Sequence, residues 1–298
     1  MTLSGHPRAL SSKLAAYLRF PALVTILFAI SMAACNSAPT RLTPSSYPLG
    51  SRSSPSTEPA RSISEGTDWL QKRYVEIERD LASGIELKKV RVLLVGDSIT
   101  QFYAGGDDPR QAAMWRSAFG DRTGPNYALN LGVAGDRTEN LLLRLLAKER
   151  GGFGQLDNPD IQPEIIVLMI GINNTWSSTA DKVGLTTDGQ VAVIKRLQEL
   201  RPTSTIVVNS ILPTNNAGHD RELVEPINRR LQAEVGKMKG IVWLDANRAF
   251  LKSDGSGNPK LFKDGVHPNA DGYVAWSAEL LPTLDLVRAA RQAAQVPK

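Results

Sequence analysis

The sequence predicts a three-layer α/β/α domain around a parallel sheet, running from about residue 67 to the C-terminus. Two observations carry this. Five short apolar runs recur along that stretch, and segments with apolar residues at helical spacing separate them. One of the runs, 164–170, is almost unbrokenly apolar, as a strand covered on both faces must be. Strands that alternate with helices pair in parallel through right-handed crossovers.

The elements follow in order. Thr67-Asp68 supplies a helix start, with Leu70, Tyr74, Ile77 and Leu81 at helical spacing behind it. Residues 89–95 read as the first strand, ended by Gly96. Trp115 lies in a short helical stretch before Gly120. Residues 127–131 read as the second strand, and 138–148 as a helix with Leu141, Leu142, Leu145 and Leu146 inward. After the third strand, 164–170, residues 190–200 are amphipathic. Residues 204–210 form a strand, 221–238 a helix and 241–244 the last strand, and a long helix starts after Asn269.

The 298 residues are enough for a well-buried core. The formal charge of +5 comes partly from the N-terminus: Arg8, Lys13 and Arg19 precede Cys35, and no Asp or Glu does. Taking those three from 35 basic side chains leaves 32 against 30 acidic ones, a net of +2. That balance gives no reason to expect nucleic acid as a partner.

Residues 1–34 read as an export signal. A basic stretch precedes 13 largely apolar residues, 20–32, a length suited to a signal peptide and short for a membrane span. Ala33-Ala34-Cys35 resembles the lipobox of bacterial lipoproteins, with Met32 where Leu is usual. The resemblance implies that Cys35 is acylated and anchors the protein to a membrane of the cell envelope. The competing reading is plain cleavage after Ala34, giving a periplasmic or secreted protein. Cys35 is the only cysteine, so the chain can form no internal disulfide. Residues 35–66 are rich in Ser and Pro and poor in large apolar side chains, so a flexible tether is expected there. The folded domain is placed at 67–298.

Four polar signatures stand where chemistry is expected in such sheets, beyond the C-terminal strand ends. Gly96-Asp97-Ser98-Ile99 follows the first strand and is not a Gly-x-Ser-x-Gly elbow. Residues 130–136, with Gly132 and Gly135 three apart, follow the second, and no Gly-Lys-Ser/Thr makes this a phosphate loop. Gly171-Ile172-Asn173-Asn174 follows the third, where an asparagine amide can donate to a developing oxyanion. Asp264-Gly265-Val266-His267-Pro268 precedes the last helix. Its carboxylate can orient one imidazole nitrogen, leaving the other to take a proton from a serine hydroxyl. Singly, each signature also fits a turn or a helix cap; their joint order points to catalysis. His6 leaves with the signal, so only His219 and His267 remain, and His219 has the look of a surface-loop residue. Asp107-Asp108 reads as a solvated loop rather than a cation site.

Gly96-Asp97-Ser98, Gly135, Asn173 and Asp264-x-x-His267 resemble, in order and spacing, the four sequence blocks of the SGNH (GDSL) hydrolases, over about residues 89–285. Within that family, residues 130–138, Gly171-Ile172-Asn173-Asn174 and Trp115-Arg116 look most like the catalytic subunits of platelet-activating-factor acetylhydrolase. The resemblance implies a flavodoxin-like sheet in the order 2-1-3-4-5. It implies Ser98 as nucleophile, His267 as general base and Asp264 as its orienting partner, with an oxyanion hole of Ser98, Gly135 and Asn173. Nothing in that chemistry calls for a metal or a cofactor. Arg137 departs from the pattern, and is set either to pair with Asp136 or to touch an acidic part of the substrate. The activity implied is hydrolysis of short-chain esters, acetyl foremost, on a small acyl ester or an acetylated glycan. A non-catalytic glycan-binding module and an O-acyltransferase are the rival readings.

Overall fold

A computed structural model describes residue 50 and residues 55–105 and 108–295. Residues 1–34, read above as an export signal and including His6, lie outside the described residues, as do Cys35, most of the expected tether and Asp107.

The sheet strands are β1 (Val92–Gly96), β2 (Ala128–Gly132), β3 (Ile165–Met169), β4 (Thr205–Asn209) and β5 (Ile241–Leu244). They pair in parallel in the order β2-β1-β3-β4-β5, as the resemblance implied. The helices are α1 (Asp68–Arg79), α2 (Ser98–Tyr103), α3 (Pro109–Phe119), α4 (Thr138–Leu145), α5 (Lys182–Leu200), the single turn α6 (Ala217–His219), α7 (Glu225–Val235) and α8 (Ala270–Gln295).

Side chains alternate across a strand, so each run of apolar residues feeds two cores. Leu93 and Val95 meet Leu70 and Tyr74 of α1, Leu141 and Leu145 of α4, and Val193 and Leu197 of α5 in one core. Val92 and Leu94 meet Ile99 and Tyr103 of α2, Phe119 of α3, and Tyr273, Trp276 and Leu280 of α8 in the other. Both faces of the sheet are therefore covered, which is why its strands are apolar throughout rather than alternating.

Three differences from the sequence reading have local causes. Helix α2 is not announced by any apolar period; the Asp97 side chain starts it by accepting from the Ile99 N–H. Helix α5 begins at Lys182, eight residues ahead of the expected start, because Asp181 caps it at Gly184. Gly184, Thr186, Thr187 and Gly189 are weak helix formers, and packing overrides their propensity. The tether, expected to run to residue 66, gives way to packed chain sooner. Ser56, Ala60 and Ser62 are buried. Ala60 donates its N–H to the Glu139 carbonyl at 3.1 Å. Its own carbonyl accepts from Asn140 Nδ2 at 3.0 Å.

Asp108 is the N-cap of α3, with Oδ1 accepting from the N–H groups of Arg110 (2.8 Å) and Gln111 (3.3 Å). Replacing such a cap typically costs about 1 kcal/mol. Asp108→Ala is expected to lower the unfolding free energy by about that much in urea titrations, with an unchanged m-value.

Candidate active site

The register sets Gly96 of β1 beside Gly132 of β2 and Met169 of β3, so three strands end level. Helix α2 lies directly on this edge. A side-chain carbon on Gly132 would stand 2.3 Å from the Gln101 nitrogen, so no larger residue fits. Ser98 is the first residue of α2 and is only 4% exposed.

Asp97, beneath it, is fully buried, and burial pushes its carboxyl up to about 7 against the ordinary 3.8. One oxygen takes the Ile99 N–H at 3.0 Å. The folded protein thus holds a proton here that the unfolded chain releases between about 3.8 and 7. The sign follows: stability from this group is greatest in acid and declines as pH rises towards 7. We expect Asp97→Asn, which keeps the capping oxygen, to flatten the fall in Tm between pH 4.5 and 7. An unchanged slope would remove Asp97 as its source.

His267 lies three residues before the start of α8. Its Nε2 is 2.9 Å from Ser98 Oγ, and its Nδ1 is 2.7 Å from Asp264 Oδ2. The other Asp264 oxygen accepts from the N–H groups of His267 (2.9 Å) and Val266 (3.1 Å). Burial raises the Asp264 carboxyl, but the His267 N–H, the imidazole and the Val266 N–H outweigh it and hold it below the usual range. Helix α8 is tied to α2 from behind: the Tyr273 hydroxyl donates to the Ile99 carbonyl at 2.8 Å, and Tyr103 stacks on Tyr273 at 5.2 Å. The distance from serine to histidine is thereby fixed by the packing of two helices.

The loop after β2 is fastened to α2 as well. Asn130 Nδ2 donates to the Thr100 carbonyl, and the Ala134 N–H to Gln101 Oε1 at 2.7 Å. Gly135 then takes a left-handed turn with φ 77°, which suits glycine. Asn173 lies in a 3₁₀ turn after β3, and its Nδ2 donates to the Asp136 carbonyl at 2.8 Å. An amide NH₂ has two protons, so this bond leaves one to donate elsewhere. Ser98, Asp264 and His267 are thus joined in one path, and Asn173 bonds the residue next to Gly135.

Asp136 pairs with Arg144, not Arg137. Arg144 Nε meets Asp136 Oδ2 at 2.7 Å, with both side chains buried. The arginine also donates to the carbonyls of Leu131 and Gly96 and to Gln155 Oε1, bracing the ends of β1 and β2. Burial pushes the Asp136 carboxyl up to about 6, which still leaves it anionic at neutral pH. Arg137 instead faces Glu139, with 3.6 Å between Nη1 and Oε1. Arg144 is seven residues beyond Arg137, nearly two turns into α4, and reaches back to the loop. Amphipathic reading missed it because every residue of α4 is buried, polar ones included.

The site opens onto a cleft of about 750 Å³ lined by Phe102, Pro109, Lys263, His267 and Pro268 among others. His219 is not a free surface residue. Its ring stacks on Trp176 at 4.1 Å, and its Nε2 lies 3.0 Å from Thr175 Oγ1. Among the described residues no group of three or more His, Cys, Asp and Glu side chains is placed to hold a metal.

A hydroxyl, an imidazole and a carboxylate thus stand in hydrogen-bonded sequence at the C-terminal edge of a parallel sheet. Residues 94–275 match the GDSL-like lipase/acylhydrolase family, and the chain belongs to it. It is 29% identical over 202 residues to the platelet-activating factor acetylhydrolase IB subunit alpha1 of Rattus norvegicus, covering 67% of this chain and 78% of that one. It is 30% identical over 187 residues to the alpha2 subunit of Homo sapiens, covering 62% and 72%. The fold is shared with a putative platelet activating factor protein from Streptococcus pneumonia (TM-score 0.54, 19% identity, 72% of this chain and 92% of that one). It is also shared with a GDSL-like lipase from Bacteroides thetaiotaomicron (TM-score 0.53, 19% identity, 72% and 96%). The protein is an ester-hydrolysing enzyme.

Proposed function

We propose that this enzyme is an exported serine esterase that removes short acyl groups, acetyl foremost, through an acyl-enzyme, with O-acetylated carbohydrate as its substrate class. The observation that carries the mechanism is the path Asp264–His267–Ser98, with links of 2.7 and 2.9 Å. Kinship with acetylhydrolase subunits and the export signal of residues 1–34 support the substrate class.

In the first step His267 Nε2 takes the Ser98 proton as Oγ bonds to the ester carbonyl carbon. Asp264, kept anionic, stabilises the imidazolium that forms. The carbonyl oxygen becomes an anion, received by the N–H groups of Ser98 and Gly135 and the Asn173 amide. The alkoxy C–O bond then breaks, and the leaving alcohol takes the proton from His267. Water repeats the sequence on the acyl-serine, releasing the acid and restoring the hydroxyl.

Loss of one oxyanion donor typically costs about 2.7–4 kcal/mol, so Asn173→Ala is expected to lower kcat roughly 100-fold or more, measured at saturating ester. Comparing acetyl, butyryl and octanoyl nitrophenyl esters, then acetylated glycans, tests the substrate reading; acetyl should be fastest, and an octanoyl preference would overturn it. Product analysis with sugar acceptors separates hydrolysis from acyl transfer. A fluorophosphonate probe should label Ser98, and a failure to label would favour a non-catalytic glycan-binding module. Anchoring through an acylated Cys35 is part of this proposal; an unmodified Cys35 in the mature protein, by mass spectrometry, would refute it.

A further inference from the structure

Among the described residues, the exposed aromatic side chains are Trp69 and Trp176, at 44% and 45%. Both stand at the catalytic edge. Trp69 is in the first turn of α1, and its Cη2 edge lies 3.7 Å from where a side-chain carbon on Gly135 would begin. It is held there by Arg73, one turn along, which donates to the carbonyls of Gly132 and Asn130 at 2.9 and 2.8 Å. Trp176 ends the 3₁₀ turn that carries Asn173. Residues three apart eclipse in such a turn, so Trp176 rises on the same side as the Asn173 amide. Trp69 thus adjoins Gly135 in the loop after β2, and Trp176 closes the turn after β3, while Ser98 opens α2 after β1, the strand between those two.

We propose that Trp69 and Trp176 are the aromatic walls of a glycan subsite, each stacking a pyranose ring of an oligosaccharide whose O-acetyl group sits at Ser98. This rests on the esterase reading and extends it to the part of the substrate that does not react. The geometry favours sugar. Trp69 adjoins Gly135 and Trp176 ends the turn that carries Asn173, so a ring stacked on either indole lies beside the acyl site, beyond the reach of an acetyl group held at Ser98. One face of Trp176 is already covered by His219, 15° from parallel, which stiffens the indole and leaves the opposite face to a ligand. Asn216 fixes that backing by accepting from the N–H groups of Gly218 and His219, both at 3.1 Å. The same loop reaches the catalytic turn, where the Asn215 N–H donates to the Gly265 carbonyl at 2.9 Å. Exposed residues of the loops beside this pair include the polar Ser178, Asn215 and Asn216, and the charged Glu222 acts on His219. A pyranose presents a flat apolar C–H face ringed by hydroxyls and matches such a surface; a patch that enters lipid carries further large apolar side chains.

The test compares kcat/KM for partially O-acetylated cellotetraose with kcat/KM for ethyl acetate. In Trp69→Ala and Trp176→Ala the ratio is expected to fall about tenfold, chiefly through KM, and Trp176→Tyr should restore most of it. A ratio within twofold of the parent in both alanine variants would overturn the subsite. Binding is read separately from turnover, by indole fluorescence of Ser98→Ala protein titrated with cellotetraose. Quenching that disappears in Ser98→Ala/Trp176→Ala supports the subsite even if ethyl acetate is not hydrolysed, a result that would sink the esterase reading instead. No response to cellotetraose, or a blue shift only with phosphatidylglycerol vesicles, would overturn the subsite.

Discussion

Ser98→Ala and His267→Ala are each expected to lower ester hydrolysis by about 10⁴-fold or more, and the double variant little further, because nucleophile and base act as one unit. Without the hydroxyl no acyl-enzyme forms. Without the imidazole nothing 2.9 Å from Oγ can take its proton. The residual rate would come from the oxyanion donors and binding alone. Neither change should disturb the fold: Ser98 contributes a small side chain at a helix start, and His267 sits in a turn held by its own backbone bonds. The Lys263 N–H donates to the His267 carbonyl at 2.8 Å, and that bond survives the substitution. Steady-state hydrolysis of an acetyl ester, with circular dichroism as a folding control, checks both. Full activity in a folded Ser98→Ala protein would end the assignment.

Arg144→Leu is expected to destabilise the protein by about 3–5 kcal/mol, the usual cost of stripping one partner from a buried ion pair. Arg144 is 1% exposed and supplies donors to Asp136, Leu131, Gly96 and Gln155 at once. Its removal leaves a buried carboxylate and several carbonyls without their partner, just below the turn that holds Gly135. Adding Asp136→Asn should return part of the loss, because the second change removes the orphaned charge. Urea unfolding of the two variants measures this, and a loss below about 1 kcal/mol in Arg144→Leu would show that the pair is not a cornerstone.

The proposed catalytic set could be picked out of the sequence because each member lies next to a strand end or helix start that local pattern marks. Ser98 follows Gly96, Asn173 follows Gly171, and His267 precedes α8. The order of the sheet followed from the resemblance and agrees with the pairing found. The partners of buried charges were not legible. Asp136 lies beside Arg137 in sequence, yet the ion pair forms with Arg144, because α4 turns that side chain back under the loop. His219 looked like a loop residue because its stacking partner, Trp176, is distant in the chain. The start of α5 was missed for the opposite reason: its own residues disfavour helix, and the cap at Asp181 with the packing of Gly189 decides the matter.

By itself the sequence determined which segments are strands, that both faces of the sheet are covered, and which polar side chains gather at one edge. These depend on local periodicity and on residues adjacent in the chain. Only the tertiary structure decided the 2.9 Å approach of His267 to Ser98, the burial of Arg144 with Asp136, and the setting of Trp69 beside Gly135 and of Trp176 against His219. Each of those joins elements far apart in sequence, and such distances are set by how helices pack on strand ends.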